Sequence, residues 1–499
     1  MMRLPVFFSR LLFSFMICFW VCATTQGQNF NPGEDEVFKE FEVTEIRITM
    51  ASSDKDFLLA DENAFSETYV SADVSFSNSE LSNASASNVG VRLRGNTART
   101  HPKKSFKIDF REFGGEQFFR HKKINLKPNV NDPSLVRELL TMHLYRLMDV
   151  PAPRTAPAIL YFNGEYMGVY LMIEQIDDEF VDRRFGKEVG YLYKCAFGAT
   201  LQDDGQVFDA SLFESKMNEE TDTREELDAF VEALNSIPKV SFATEFGEIF
   251  GVDRYLRQLA VEAITGHWDG YSYLNNNYYL YYDEDEGRFE FIAYDTDNTW
   301  GIDWIGRDWA TRDLTHFHRN NHPRPLTTRI LDVEAWERRY YFYLNQLFEQ
   351  YFTEDYLFPL FDKLENLLDN NVLADERFDD SFGFSYEDFK SSFDFTSKDH
   401  VKYGLRSFVE TRRSTGIPSV PDIVLGSLTS ERLEVFPNPS SNGVFFLSQP
   451  VLGKVRAFDV NGRSALVEYS STLSTVKIVG APGVYFLHVD GHVIKLMNR

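Results

Sequence analysis

Cysteine is scarce in this sequence of 499 residues. Three are present, and two of them, Cys18 and Cys22, lie in an apolar segment near the N-terminus. Once that segment is removed, Cys195 has no second cysteine with which to form an intramolecular disulfide. Disulfides therefore cannot be the framework of the fold. A chain of this length is expected to derive its stability from a large hydrophobic core.

Positive charge is also in short supply. The sequence has 51 Lys and Arg residues against 76 Asp and Glu, which gives a formal net charge of −25. This balance argues against nonspecific binding to nucleic acid, which requires a basic surface. It also argues against electrostatic attraction to anionic lipid. An acidic surface is typical of an exported protein that must stay soluble.

The N-terminus carries an apolar run that resembles a secretory signal. Arg3 and Arg10 are the only charges before the run Leu11–Val21, and the small residues Ala23 and Gly27 follow it. The run is short for a membrane span and has the length and position of a signal-peptide core. We predict a signal peptide over residues 1–27 and no membrane span in the mature protein.

The remaining chain divides by its pattern of apolar residues. Residues 28–44 are polar and acidic and are predicted to be a leader. Residues 45–416 form the main domain. Its first part has alternating apolar residues, which indicate strands, and its later part has apolar residues at helical spacing, which indicate helices. Within it, Ser77–Asn88 is predicted as a loop and residues 202–260 as mostly helical. Residues 417–431 read as a linker, and residues 432–499 as a small β-sandwich.

Four polar side chains in the second half of the main domain have the chemistry of a phosphate-transfer site. Asp269 can orient a hydroxyl group or accept its proton, and Asn277 follows it closely. Asp295 and Asp297 share one face of an extended chain, so both carboxylates can reach one Mg²⁺. Protein kinases use a similar set in the same chain order. The alternative is that Asp295 and Asp297 belong to an ordinary polar turn.

A basic hairpin in the first half of the domain is a candidate phosphate clamp. Arg94, with Lys103 or Lys104, can bind phosphoryl oxygens, and the amides of Gly95-Asn96 add donors. Alternation places Lys104 on the same face as Phe106, so its ammonium group is expected to point inward and to need an anionic partner. The alternative is a solvated basic strand face.

Two further charged residues lie at strand ends. Lys127 ends a strand just before a helix, so it is a second candidate for the lysine that binds nucleotide, with Glu138 on that helix as its partner. Glu174 closes another strand and either pairs with a buried lysine or marks the strand end. The order strand, Glu174–Asp177, helix also suits a hinge beside a nucleotide base.

These segments together resemble the CotH kinase family. The resemblance covers about Glu45 to Arg413. It is carried by Arg92-Leu93-Arg94-Gly95-Asn96-Thr97 with Lys103-Lys104-Ser105-Phe106, by Asn163–Tyr170 with Glu174–Asp177, by Trp268-Asp269 to Asn277-Tyr278, and by Tyr294-Asp295-Thr296-Asp297.

The resemblance implies an α+β fold, an atypical protein-kinase-like two-lobed domain with a β-rich N-lobe and a mainly helical C-lobe. It also implies Mg-ATP-dependent phosphorylation of Ser residues in exported proteins. The residues expected to serve this reaction are catalytic Asp269, Lys104 and Glu174, nucleotide-binding Arg94, Gly95, Asn96, Lys104 and Lys127, and metal-binding Asn277, Asp295 and Asp297. The alternative function is a surface structural or adhesion protein that keeps the fold without catalysis.

The C-terminal region resembles a second family, the type IX secretion sorting domain. The motifs are Val435-Phe436-Pro437-Asn438-Pro439, then Asn461-Gly462-Arg463, then Pro482–Leu487. This resemblance implies that a Bacteroidota-type exporter carries the protein across the outer membrane to the cell surface or the medium. The expected partners are therefore this machinery and an exported, Ser-containing protein substrate.

Overall fold

The structure is a computed structural model. It describes residues 30–421, apart from 97–98, 319–321 and 396–397, together with segments of 435–498 that include all the strands given below. The predicted signal peptide lies outside the described residues, as does most of the predicted linker. No helix in the described part of the chain is long and apolar enough to cross a membrane.

Seven strands of the first 150 described residues close into a barrel. The strands are β1 (Thr44–Thr49), β2 (Val70–Ser77), β3 (Ala84–Leu93), β4 (Phe106–Asp109), β5 (Lys123–Lys127), β6 (Thr155–Phe162) and β7 (Glu165–Glu174). Their order around the barrel is β1-β2-β3-β4-β5-β7-β6, and the parallel pair β1–β6 closes it. Helices α1 (Ser52–Leu59) and α2 (Arg137–Leu147) are inserted between strands.

Alternation of apolar and polar residues decides which side chains fill the barrel. Val91 and Leu93 of β3 and Phe106 of β4 are buried in the barrel core, so Arg92 and Lys107 on the intervening positions face outward. The predicted hairpin between β6 and β7 is confirmed. Its turn residues Asn163 and Gly164 both have positive φ, as a two-residue turn between twisted strands requires.

The predicted leader over residues 28–44 packs against the barrel. Val37 and Phe38 are fully buried in the barrel core. Asp35 binds Arg154 at 2.6 Å and His121 at 2.9 Å. The predicted leader is therefore packed against the barrel from residue 30 onward, because two apolar side chains in an acidic stretch suffice to anchor it.

A larger α and β region follows the barrel. Its helices are α3 (Asp178–Phe185), α4 (Glu225–Ser236), α5 (Lys239–Ile249), α6 (Val252–Thr265), α7 (Tyr271–Leu274), α8 (Pro325–Leu331), α9 (Glu334–Gln346), α10 (Glu354–Leu373), α11 (Tyr386–Ser391) and α12 (Leu405–Gly416). Four strands form a second sheet in the order β11-β10-β8-β9, with β8 (Tyr191–Cys195), β9 (Phe213–Met217), β10 (Tyr278–Asp283) and β11 (Arg288–Ala293).

Two local predictions differ from this arrangement. The segment Ser77–Asn88 is not all loop, because β3 begins at Ala84. The segment 202–260 contains strand β9, whose Phe213 and Met217 are buried and whose polar residues lie between them. The sequence of β9 is short and charged, so its place in the sheet depends on pairing with β8 rather than on an apolar pattern.

Cys195 is the last residue of β8. It is 2% exposed and packs in the main hydrophobic core, and burial raises the pKa of its thiol above the ordinary value. The side chain therefore serves as a small apolar residue.

The C-terminal strands have a hydrophobic core of their own. They are β12 (Val435–Phe436), β13 (Val444–Leu447), β14 (Arg456–Asp459), β15 (Ser464–Ser470), β16 (Thr475–Val479), β17 (Gly483–Val489) and β18 (His492–Asn498). The region is all-β, as predicted, but the strands form one sheet in the order β12-β13-β16-β15-β14-β17-β18 rather than two separate layers. It contacts the preceding domain where Arg339 Nη1 donates to the Leu447 carbonyl at 2.7 Å.

Gly168 provides a test of how β7 is packed against the C-terminal end of α10. Its φ is +97°, and a Cβ placed there would lie 2.0 Å from Asp375 Oδ2. We expect Gly168→Ala to lower the free energy of unfolding by about 1–3 kcal/mol, because the backbone strain adds to displacement of the Asp375 carboxylate. Urea denaturation measures the change.

Gly164→Ala is the matched control for this prediction. Gly164 also has a positive φ, +83°, but no atom of the described residues lies within 4 Å of its Cβ position. Its substitution should therefore cost less than that of Gly168. Equal losses would show that the Asp375 contact is not responsible.

Candidate functional site

Lys127, at the end of β5, binds three carboxylates from two other elements. Its Nζ lies 2.9 Å from Glu138 on α2 and 3.0 Å from Asp297, and it also bonds to Asp295. The side chain of Glu138 is 2% exposed, while Asp295 and Asp297 remain partly open to solvent. One buried cation therefore joins the barrel, the helix and the segment after β11.

The charges in this cluster shift one another's pKa values. Burial opposes the charged form of Lys127, but the three carboxylates outweigh it and raise the pKa of the lysine well above its ordinary value. Burial raises the pKa of Glu138 and of Asp297, whereas Lys127 holds the pKa of Asp295 below its usual range despite burial. The three carboxylates therefore favour the charged form of Lys127.

Asp269 lies beside this cluster and is held by three amide groups. Asn276 donates to Oδ1, and Asn277 and Asn298 donate to Oδ2, each at 3.0 Å. Burial raises the pKa of Asp269 to about 6, and the nearby carboxylates act in the same direction while the amides oppose them. The carboxylate is therefore fixed in orientation and has a proton affinity suited to accepting a proton near neutral pH.

The end of α6 explains why Asp269 lies here. Gly266 adopts a left-handed conformation with φ of 70°, and the backbone N–H of His267 bonds to the Glu262 carbonyl at 2.8 Å. This cap stops the helix and turns the chain toward the cluster. Trp268 is then anchored by a bond from Nε1 to the carbonyl of Ile302 at 2.8 Å.

Two of the predicted site residues have unusual backbone conformations. Asn277 and Asp295 both have positive φ, 52° and 49°. Residues other than glycine seldom adopt this region, and such conformations are enriched at functional sites, where the surrounding structure holds them. Both residues lie next to the strand pair β10–β11, one before it and one after it.

Arg94 also approaches the cluster from the barrel. Its Nη2 donates to the hydroxyl of Tyr294 at 3.0 Å, and the charge of Asp295 acts on it. Gly95, with φ of 87°, begins the turn that continues through Asn96. Of the residues in the predicted phosphate clamp, Arg94 thus reaches the carboxylate cluster, and the amides of the turn follow it directly in the chain.

Lys104 and Lys103 do not reach the cluster. Lys104 Nζ lies 3.0 Å from Asp61 and 2.9 Å from the carbonyl of Arg99, and Lys103 forms a buried pair with Asp375 at 2.5 Å. The prediction that Lys104 binds nucleotide and takes part in catalysis is therefore corrected. Alternation sends its side chain away from the outward face that carries Arg94, and its anionic partner is Asp61.

Glu174 also has structural partners in place of the predicted lysine. It binds Arg154 at 2.8 Å, Arg183 at 3.1 Å and Arg184 at 2.7 Å. Although burial acts against the charged form, these guanidinium groups hold the pKa of Glu174 well below its usual range. The structure thus places it in an arginine network where β7 meets α3, apart from the carboxylate cluster.

The donor set of the cluster fits Mg²⁺ only in part. Within the described ranges, no three His, Cys, Asp or Glu side chains are grouped so that they could hold a metal ion on their own. Asp295 and Asp297 are a carboxylate pair, and Asn277 directs its amide nitrogen to Asp269. Mg²⁺ commonly takes one or two carboxylates and completes its shell with water and substrate phosphates. The residues therefore suit a metal that arrives with a nucleotide.

A cavity of about 530 Å³ lies near the connection between β7 and α3. It is lined by Lys123 of β5, Asp177 before α3, Lys216 and Met217 of β9 and several other polar residues. Burial raises the pKa of Asp177 to about 7. The cavity has a volume suited to a small ligand and adjoins the predicted hinge segment.

Sequence reasoning missed three residues of this region. Asn276 and Asn298 hold Asp269, and Lys107 stands between Arg92 and Asn125 on the outer face of the barrel. A signal for Lys107 was present, because it alternates with the buried Phe106. No spacing in the sequence indicates that Asn298 would bond to a residue 29 positions earlier.

The chain belongs to the CotH kinase protein family, because the model of this family matches residues 91–415. It is 30% identical over 276 residues to inner spore coat protein H of Bacillus subtilis (strain 168), which covers 54% of this chain and 74% of that protein. It is 25% identical over 240 residues to spore coat protein homolog 1 of Rhizopus delemar, and 27% identical over 200 residues to invasin CotH3 of the same fungus. These matches span 38% and 32% of the fungal proteins and 46% and 38% of this chain.

Glu174→Gln tests whether this residue is structural. We expect the variant to lose about 3–5 kcal/mol of unfolding free energy, because three arginines lose a buried charged partner. Since the folded pKa is depressed, the stabilisation by Glu174 is present above the unfolded pKa and is lost as the pH falls toward the folded value. The difference between wild type and variant should therefore shrink in acid, which urea titrations at several pH values would measure.

Glu165→Gln is the control at the other end of β7. Glu165 is largely exposed and pairs with Lys55 and Arg377, so its loss should change stability by no more than about 1 kcal/mol. A stable Glu174→Gln protein that has lost only phosphate transfer would instead restore the predicted catalytic role.

Proposed function

We propose that this chain is an exported, Mg-ATP-dependent kinase that phosphorylates Ser residues of exported proteins. The observation that carries the proposal is the pairing of Lys127 on a strand with Glu138 on the following helix, beside Asp295 and Asp297. Protein kinases use a strand lysine paired with a helix glutamate, and a metal-binding Asp completes the site. Family membership supports the same reaction.

The proposal includes a kinase-like division of the domain. The barrel with α2 takes the place of the β-rich lobe, and the region from α3 onward takes that of the helical lobe, although it also contains a four-stranded sheet. Nucleotide would bind between them, with the base toward the cavity beside Asp177 and the phosphates toward Arg94 and Lys127. The positions of the cavity and of the two cations support this orientation.

In the proposed reaction the oxygen of a substrate Ser attacks the γ-phosphorus of ATP. A new phosphorus–oxygen bond forms, the bond to the β–γ bridging oxygen breaks, ADP leaves, and the hydroxyl proton passes to Asp269. Asn276, Asn277 and Asn298 fix the acceptor oxygens of Asp269 by donating to them. Mg²⁺, bound with ATP by Asp295 and Asp297, would supply positive charge to the phosphates.

The location of the protein is part of the proposal. Relatives are described as a spore coat protein and as invasins, which favours a place at a cell surface or outside the cell. The resemblance of the C-terminal region to a type IX sorting domain would provide the route. The same names also favour the alternative function, a surface structural or adhesion protein without catalysis.

Replacing Asp269 separates the two functions. If Asp269 orients or deprotonates the substrate hydroxyl, Asp269→Asn should lower turnover about 10²–10⁴-fold and leave ATP affinity nearly unchanged. Asp295→Asn should lose binding of Mg²⁺ and ATP together. Transfer of labelled phosphate to Ser-rich peptides measures turnover, and calorimetry with Mg-ATP measures binding.

Asp285→Asn is the matched control. Asp285 is exposed in the turn between β10 and β11, at the far end of β11 from Asp295, and it should tolerate the change. Wild-type turnover in Asp269→Asn would exclude Asp269 from catalysis. ATP binding without transfer in the wild type would favour the structural alternative.

The C-terminal sheet should act as an address. Its core is separate from that of the preceding domain, so a protein lacking residues 432–499 should fold and bind Mg-ATP with unchanged affinity. In a host with a type IX exporter the truncated protein should stay off the cell surface. Surface labelling and fractionation measure its location, and a truncated protein that still reaches the surface would remove the sorting role.

A further inference from the structure

Two cations on the outer face of the barrel have no carboxylate bound to them among the described residues. Lys107 is half-buried, and its ammonium group makes no hydrogen bond or ion pair with any residue that the structure describes. The guanidinium of Arg94 makes one hydrogen bond within the same ranges, to the hydroxyl of Tyr294. A partly buried cation without a counter-charge is costly, so such a pair indicates a ligand of opposite sign.

The surroundings of Lys107 add positive charge. The strongest charges acting on it are those of Arg94, Arg92, Lys123 and Lys216, and with burial they hold its pKa well below the ordinary value. Three of these neighbours are already neutralised: Arg92 bonds to Glu67, Lys123 to Asp109 and Lys216 to Glu214. The uncompensated charge is therefore concentrated on Lys107, because the charge of Asp295 acts on Arg94.

A neutral neighbour also has an unused polar atom. Asn125 on β5 is the register partner of Lys107 and is 3% exposed. Its Nδ2 lies 3.2 Å from Gln175 Oε1, while its Oδ1 has no hydrogen-bond partner among the described residues. The N–H groups of Lys107 and Arg94 that have no partner in the described part of the chain and the free Oδ1 of Asn125 thus lie between the cavity near Asp177 and the carboxylate cluster.

We infer that Lys107 and Arg94 form a polyphosphate-binding pair, with Lys107 in the role that was predicted for Lys104. The inference rests on the proposed function for its choice of ligand, the phosphate chain of a nucleotide. A chain of several phosphates carries enough negative charge to neutralise both cations. Its far end would also lie toward Lys127 and the two metal-binding carboxylates.

Calorimetric titration of the mature chain with Mg-ATP tests the pair. Lys107→Met keeps the apolar stem and removes the charge, and it should weaken ATP binding by roughly 10- to 150-fold, as expected for charged hydrogen bonds. The ATP affinity of Lys107→Arg should stay within a few-fold of that of the wild type. Lys239→Met, which removes an exposed lysine on α5, should have no effect and controls for net charge.

A second measurement needs no nucleotide. Because Lys107 is repelled by its neighbours in the unliganded protein, Lys107→Met should raise the midpoint of thermal unfolding, whereas removal of a structural lysine would lower it. A lowered midpoint, or equal ATP affinity in wild type and Lys107→Met, would overturn the inference.

Titration with tripolyphosphate separates this inference from the proposed function. Binding of tripolyphosphate that depends on Lys107, without binding of Mg-ATP, would support the polyphosphate-binding pair and contradict the kinase proposal. Binding of Mg-ATP that does not depend on Lys107 would support the kinase proposal and contradict the polyphosphate-binding pair. Failure of the wild type to bind either ligand would contradict both.

Discussion

The structure of the candidate site depends on one buried cation. Lys127 forms ion pairs with Glu138, Asp295 and Asp297, which come from a helix and from the segment after β11. Without it, three neighbouring carboxylates, of which Glu138 is buried, would repel one another. The ion pairs of Lys127 therefore fix the relative positions of the barrel, α2 and the segment after β11. The same ion pairs bring the carboxylates of the candidate site together.

Several features could be read from the sequence because they depend on local rules. The turn Asn163-Gly164 requires positive φ at two positions and specified the hairpin β6–β7. The pair Asp295 and Asp297 was predicted to share a direction, and both bind one lysine. Lys127 and Glu138 were recognised as possible partners because a lysine at a strand end followed by a helix with a glutamate has the chain order of protein kinases.

The incorrect predictions involved contacts between distant segments. Lys104 was assigned to nucleotide although alternation already turned it inward, and its partner Asp61 lies 43 residues away. Glu174 meets Arg154, which directly precedes β6, and Arg183 and Arg184 from the next helix, and no spacing rule specifies that three cations converge there. The short charged strand β9 was missed because sheet pairing, rather than its own composition, decides its conformation.

Cys195 gives the protein a built-in reporter. It is the one cysteine in the described part of the chain, and it lies buried at the end of β8, in the sheet that carries Tyr279 and leads to Asp295. A thiol in this position reacts with a reagent only when the surrounding structure opens, because its burial excludes both solvent and the thiolate form. The rate of thiol modification therefore measures local opening of the second sheet without any label being introduced.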